Sequence, residues 1–480
     1  MTDSTDLDSE LRAFAKAYGD TLTTDLAADP CPFEPFTELG AARRLVATYG
    51  GLLLYVPLWR AWLVWDGARW KDDSLGVAQC CGKFISREMS RWARAIEDED
   101  ARKGATRAAI RMECARSVNG ILALASTEPG IAIQPDQLDA DPYLVNCANG
   151  VFDLRTGTLE AHDPKFLLRK ITRGAYKPDA PRTEFDAFLK RVQPEEEMRQ
   201  FLQRLFGYST LGKVVEHVLP IFWGDGGNGK GALVETVRFS AGDYADAADR
   251  RLLTDTEAHP TGVADLFGLR VAFVSETDEH VRLAEATMKA LTGGDRLKAR
   301  RMREDFWSFD PSHTVIMLTN HKPEIRGNDN GVWRRLRLIP FLATITQQEI
   351  LDFRAGHNGL EVEAVLKGEA DAILTWMLDG YQAWAKEGLV DPKPVKEATA
   401  AYRIESDALQ RWIDDCCLIG PNFWATVKEL FGSWCKWCAN ENESAGTLTQ
   451  FGTQLGKLGY AKDEKARPIR RNGIGLQAEG

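Results

Sequence analysis

The sequence predicts an α/β fold with a phosphate-binding loop at its centre, preceded by an α+β domain and followed by a smaller one. Three observations predict it. Residues 218–237 read as an apolar strand, a glycine-rich turn and an amphipathic helix. Two further apolar runs, 269–276 and 314–320, end in the polar residues Glu276 and Asn320. Residues 51–70 read instead as short strands around the hairpin turn Asp66-Gly67.

The turn is Gly224-Asp225-Gly226-Gly227-Asn228-Gly229-Lys230-Gly231. It fits the first seven positions of G-x-x-x-x-G-K-[ST]. Glycines let the backbone curl so that its N–H groups face phosphate oxygens, and the lysine and helix N-terminus add positive charge. The eighth position departs from the pattern: Gly231 stands where a hydroxyl would ligate magnesium.

Composition is that of a globular chain, with 44% hydrophobic and 27% charged residues. Its 480 residues suffice for two to four domains. The net charge of −10 argues against a chain coated in nucleic acid and confines such contacts to local basic patches. Nine cysteines without a repeating framework, and an acidic start, predict reduced thiols in a cytoplasmic protein, with a bacterial host cytoplasm expected. No apolar run reaches membrane-spanning length. Cys435-x-x-Cys438 lacks a second spaced pair, so no residue is assigned as a metal ligand.

Taken in order, residues 1–40 read as an acidic tail and 41–175 as the α+β domain. The tryptophans between Trp59 and Trp70 suit a small aromatic-cored sheet better than a base-stacking platform. Residues 77–125 read as helical, with a break at Asn119-Gly120, and 146–157 as a hairpin. Residues 176–215 form a helical collar, with Pro194 in the first turn of its second helix. The core follows over 216–390, and Pro392 to Pro394 mark a linker. The last unit, 391–480, has helices near 404–417, 426–440 and 447–459, then strand-like residues, an order that suggests a winged helix.

Within the core, a buried strand ending in a carboxylate is where the water that attacks a γ-phosphate is polarised. Glu276 is the candidate, with Asp278 and Glu279 nearby, while Ser275 stands where such sites often carry a metal-binding Asp. Asn320 ends the next strand and suits a water or phosphate sensor. Arg334 and Arg335 suit arginine fingers reaching a neighbouring subunit. Between the two strands, Arg296, Lys298, Arg300, Arg301 and Arg303 alternate with apolar residues and precede aromatics, as in a hairpin that grips a phosphate backbone.

Together FWGDGGNGKGALVETV, RVAFVSETDE, LTGGDRLKARRMREDF, VIMLTNHKPEI and GVWRRLRLIPF resemble the phage/plasmid primase-helicase family, superfamily 3 helicases of the AAA+ class similar to the poxvirus primase-helicase. The resemblance runs over about residues 45–475 and implies an AAA+ core, a helical collar and a C-terminal winged helix. It implies a ring, a hexamer, that hydrolyses ATP with Mg2+ at subunit interfaces and moves on single-stranded or forked DNA. It also implies replication of a phage, prophage or plasmid-like element. It carries over Lys230, Glu276, Asn320, Arg334 or Arg335, and the basic stretch 296–303. Gly231 and Ser275 depart from the pattern. The sequence offers no strand-borne carboxylate pair for priming, so a separate primase or polymerase is expected as a partner. The alternative reading is an origin-binding initiator that uses ATP to assemble.

Overall fold

The computed structural model describes residues 28–254, 260–276, 281–300, 306–325, 329–441, 445–463, 466 and 469–477. The N-terminal unit opens with α1 (Glu38–Tyr49), the antiparallel sheet β1 (Leu53–Val56), β2 (Ala61–Trp65) and β3 (Trp70–Asp72), then α2 (Val77–Arg94), α3 (Glu99–Met112) and α4 (Ala115–Ala125). Residues 29–35, assigned to the tail, wrap the fully buried Arg44 of α1, which bonds the Asp29 carboxylate and the Pro35, Cys31 and Glu34 carbonyls.

The helix break expected at Asn119-Gly120 lies instead inside α4. A Cβ on Gly120 would meet only the movable end of the Glu38 side chain, at 2.7 Å, and the glycine continues the helix rather than forming a turn. The real breaks precede α3, capped by Asp98, and α4. Trp65 and Trp70 are buried with ring centroids 5.7 Å apart, and the Trp70 indole N–H donates to the Pro164 carbonyl at 2.9 Å. They fill the unit's core, as alternation predicts. β4 (Leu144–Cys147), β5 (Gly150–Asp153) and β6 (Thr158–Glu160) form a second antiparallel sheet at the turns the sequence marks.

Two helices follow, α5 (Thr183–Val192) and α6 (Glu196–Tyr208). Pro194 precedes α6 rather than entering its first turn, because Glu195 is the cap. The core comprises β7 (Leu219–Trp223), α7 (Lys230–Ala241), β8 (Ala245–Ala247), α8 (Pro260–Ala264), β9 (Val271–Glu276), α9 (Glu285–Leu291), β10 (Leu297–Ala299), β11 (Trp307–Phe309), β12 (Thr314–Thr319), α10 (Asn330–Trp333) and β13 (Leu336–Pro340). Five of these strands form an all-parallel sheet in the order β13-β7-β12-β9-β8. The near-continuous apolar composition of the inner strands β7, β12 and β9 is what a sheet buried on both faces requires. β12 therefore lies between β7, which feeds the glycine loop, and β9, which ends in Glu276.

Arg270 joins the units. Its guanidinium is buried, donates to the Thr210 and Leu144 carbonyls, and lies 4.5 Å from the Tyr244 ring centroid. It thus ties β4 and the segment after α6 to the start of β9.

Beyond the sheet come α11 (Gln347–Gly356), α12 (Val362–Lys367), α13 (Ala370–Glu387) and α14 (Lys393–Glu405). α13 packs on α6 through facing glycines. A Cβ on Gly207 would lie 2.1 Å from the Gly380 carbonyl carbon. Pro392 to Pro394, expected as a linker, instead start α14: Pro392 caps it and Pro394 occupies its first turn, where a missing N–H is harmless. α14 runs along β13, and the Leu338 N–H donates to Thr399 Oγ1 at 2.9 Å. The last unit runs α15 (Ala408–Cys416), β14 (Cys417–Thr426), α16 (Val427–Asn440), α17 (Leu448–Lys457), β15 (Lys462–Asp463) and β16 (Arg470–Leu476), with sheet order β14-β16-β15. Trp412, Trp434, Phe451 and Cys438 fill its core. None of the nine cysteines is in a disulfide. Among the described residues no group of three or more His, Cys, Asp or Glu could hold a metal, and no helix is long and apolar enough to cross a membrane.

Candidate functional site

The glycine loop follows the C-terminal end of β7 and enters α7 at Lys230. Three of its glycines adopt positive φ: Gly224 at 150°, Gly227 at 72° and Gly229 at 83°. Two of them also have no room for a side chain. A Cβ at Gly224 would lie 2.2 Å from the Phe341 carbonyl oxygen, and one at Gly229 would lie 2.4 Å from a Val192 methyl. The loop is clamped from β13's exit: Asn228 Nδ2 donates to the Phe341 carbonyl at 2.8 Å, and the Ile345 N–H donates to the Gly227 carbonyl at 2.9 Å. The sequence reading marks GVWRRLRLIPF for its arginines. It misses this clamp, to which Phe341 and Ile345 contribute only backbone atoms that residues of any type would supply.

Lys230 is buried, and burial pushes its pKa below the usual lysine range, with the nearby Asp225 charge opposing. Its ammonium donates to the Gly224 carbonyl, to the Asp225 carbonyl at 3.2 Å, to Asn228 Oδ1 at 3.1 Å and to Asn320 Oδ1 at 3.4 Å. The expected lysine and sensor are thus brought together. Glu276 ends β9 directly beside Thr319, one residue before Asn320. The three positions read from separate strands converge at one edge of the sheet. Ser275 pairs with Leu318 in the same register. Asp278 and Glu279 lie outside the described residues.

The magnesium question turns on Gly231. A Cβ there would meet nothing within 4 Å, so the missing hydroxyl does not answer to crowding. With glycine at 231 and serine at 275, these two positions do not carry the hydroxyl and the Asp that usually approach Mg2+ in such loops.

The two arginines differ. Arg335 is buried, donates to the Gly331 carbonyl at 2.8 Å and accepts the Leu219 N–H through its own carbonyl at 2.7 Å. Its guanidinium is buried with Nε unpartnered, whereas Arg334 is exposed and able to reach outward.

The basic stretch forms a hairpin, β10 with β11, pairing Lys298 with Ser308. Leu297 and Ala299 point inward and Lys298 outward. Lys298 and Arg300 both lie 4.8 Å from the half-exposed Phe306 ring. Arg296 donates to the Ser308 carbonyl at 3.1 Å and lies 3.5 Å from Asp310. Arg301 and Arg303 lie outside the described residues.

Residues 42–194 match the family model described as D5 N terminal like, and residues 222–335 match a family of unknown function, DUF5906. The second match spans the glycine loop, Glu276, Asn320 and both arginines. Relatives include "Putative helicase L207/L206" of Acanthamoeba polyphaga mimivirus, 29% identical over 305 residues, covering 59% of this chain and 32% of the relative. Another is "Putative helicase 184R" of Invertebrate iridescent virus 6, 27% identical, covering 60% of this chain and 33% of the relative. A third is "Putative primase C962R" of African swine fever virus, 26% identical, covering 42% and 22%. The resemblance to the primase-helicase family holds. The chain spans about a third or less of the length of these relatives. Among solved structures, the apo NrS-1 C-terminal region aligns over 91% of this chain and 99% of that one, at 12% identity and a TM-score of 0.49.

Proposed function

We propose that the chain is an ATP-dependent DNA helicase. It would assemble as a homo-oligomeric ring, a hexamer by the resemblance, in the replication of a phage, prophage or plasmid-like element. The observation that carries this reading is the convergence of Lys230, Asn320 and Glu276 at the end of three neighbouring parallel strands. The strand order supports an AAA+ core, since β12 is inserted between the loop strand and the acid strand. The helix–strand–helix–helix–strand–strand order after Asp407 supports a winged helix.

In this mechanism the backbone N–H groups at 224–231 and Lys230 take the phosphates of ATP. Lys230 exchanges its carbonyl partners for phosphate oxygens. Glu276 polarises the attacking water and Asn320 orients it or a γ-phosphate oxygen. Arg334 of a second copy neutralises charge on the transferred phosphoryl group. No step is assigned to Mg2+, whose usual protein ligands are missing at 231 and 275. The hairpin carrying Lys298 and Arg300 grips the DNA backbone, with Phe306 beside both cations.

A second reading, an origin-binding initiator with weak turnover, is favoured by Gly231 and Ser275. ATP turnover by the purified chain, with and without single-stranded DNA and alongside Lys230→Ala, tests the proposal. Strong DNA stimulation that vanishes in the variant supports the motor. Slow turnover indifferent to DNA supports the initiator.

A further inference from the structure

On the edge of the sheet, α10, β13 and α14 bound a surface groove of about 470 Å3 whose lining includes Trp333, Arg334, Arg337, Asp391, Lys396 and Arg403. Its charge is one-sided. Arg337 is paired with Asp391 at 2.7 Å and also donates to the Arg334 and Leu336 carbonyls at 2.8 and 3.0 Å. Lys396 and Arg403 form no salt bridge among the described residues, and Arg334 meets the charge of Asp329, whose carboxylate is itself paired with Lys289. Arg403 is held in place nonetheless. It donates to Asn330 Oδ1 at 2.6 Å, and its guanidinium lies 6.0 Å from the Trp333 ring centroid. Lys396 and Arg403 are seven residues apart on α14, so they share one face of the helix. Three cations around one groove repel one another, and an anion with several oxygens relieves that repulsion. Guanidinium and ammonium groups together suit phosphate.

Arg334 lies at the end of β13 away from this chain's own loop. Arg334 precedes Leu336, which pairs with Leu219 at the start of β7, whereas the loop begins after Trp223, which pairs with Pro340. At about 3.3 Å per residue the strand between spans roughly 13 Å. Arg334 is therefore placed for the phosphates of a nucleotide held elsewhere.

We propose that Lys396 and Arg403 join Arg334 in a polyphosphate-binding groove. It takes the phosphates of a nucleotide seated in the loop of a second copy, or of a second nucleotide bound independently. The first source rests on the reading of 224–231 as a nucleotide site. α14 then has a role in nucleotide contact that its place outside the sheet conceals.

The test uses the full chain and the double variant Lys396→Gln/Arg403→Gln, whose side chains are exposed, so that the fold is retained. If the groove acts on a second copy, the double variant and Lys230→Ala each fall at least tenfold in ATP turnover. Mixing the two then restores part of it, because intact loops meet intact grooves. If the groove holds an independent nucleotide, titration with a fluorescent ATP analogue shows two equivalents per chain. The double variant loses one, and mixing restores nothing. Wild-type turnover with an unchanged titration overturns the groove. So does lost turnover with unchanged stoichiometry and no recovery on mixing, which would make the cations structural. Retained turnover in Lys230→Ala alone would instead overturn the nucleotide-loop reading, so the two failures are distinguishable.

Discussion

The ammonium of Lys230 lies 3.4 Å from the amide oxygen of Asn320, linking the loop that follows β7 to the end of β12. The lysine is held by the Gly224 and Asp225 carbonyls and by two asparagine side chains. Lys230→Ala should abolish turnover, at least a hundredfold, while the melting temperature moves by only a few degrees. Asn320→Ala should lower turnover with less effect on binding of a fluorescent ATP analogue. Equal losses of binding in both variants would remove the sensor role from Asn320.

Gly231→Thr should be accepted, since a Cβ there meets nothing. Replacing a helical glycine should stabilise α7 by a few tenths of a kcal/mol. The new hydroxyl is expected to lower the Mg2+ concentration that half-saturates turnover severalfold. An unchanged magnesium titration would show that the ion does not approach this position.

Lys298→Ala/Arg300→Ala should weaken single-stranded DNA binding and flatten its salt dependence by about 1.4 in the log–log slope, if both cations contact phosphates. Binding measured from 50 to 200 mM salt checks this. An unaltered slope would exclude the hairpin as a backbone contact.

Arg270→Met should destabilise the chain. It leaves the Thr210 and Leu144 carbonyls without their donor, at about 1–3 kcal/mol for each buried group left unpaired. Denaturant unfolding of the purified variant measures the loss. A stability equal to wild type would mean that the joint between β4, the segment after α6 and β9 does not depend on this arginine.

Burial lowers the His313 pKa from 6.5 to about 4, and neither ring nitrogen has a hydrogen-bond partner. The folded state holds the ring neutral, so its contribution is present above pH 6.5 and is lost as pH falls towards 4, by up to about 3 kcal/mol. Denaturant unfolding at pH 7 and pH 5 should show the decline, and His313→Phe should flatten it. A decline of the same size in the variant would assign the effect to other groups.

The sequence by itself determined the loop, the strands that end in Glu276 and Asn320, and the alternating basic hairpin. Each is a local pattern: glycine spacing, an apolar run with a polar end, or period-two alternation. Tertiary structure alone decided the rest. It turned the Pro392–Pro394 segment into the start of a helix, because α14 could bury against β13. It kept Gly120 inside α4. It separated two adjacent arginines, burying Arg335 over Gly331 and leaving Arg334 beside Lys396 and Arg403. It also closed the loop with the Phe341 and Ile345 backbone. Adjacent residues of one type carry the same local signal. Which of them is buried, and which distant backbone atom completes a site, depends on packing between segments far apart in the chain.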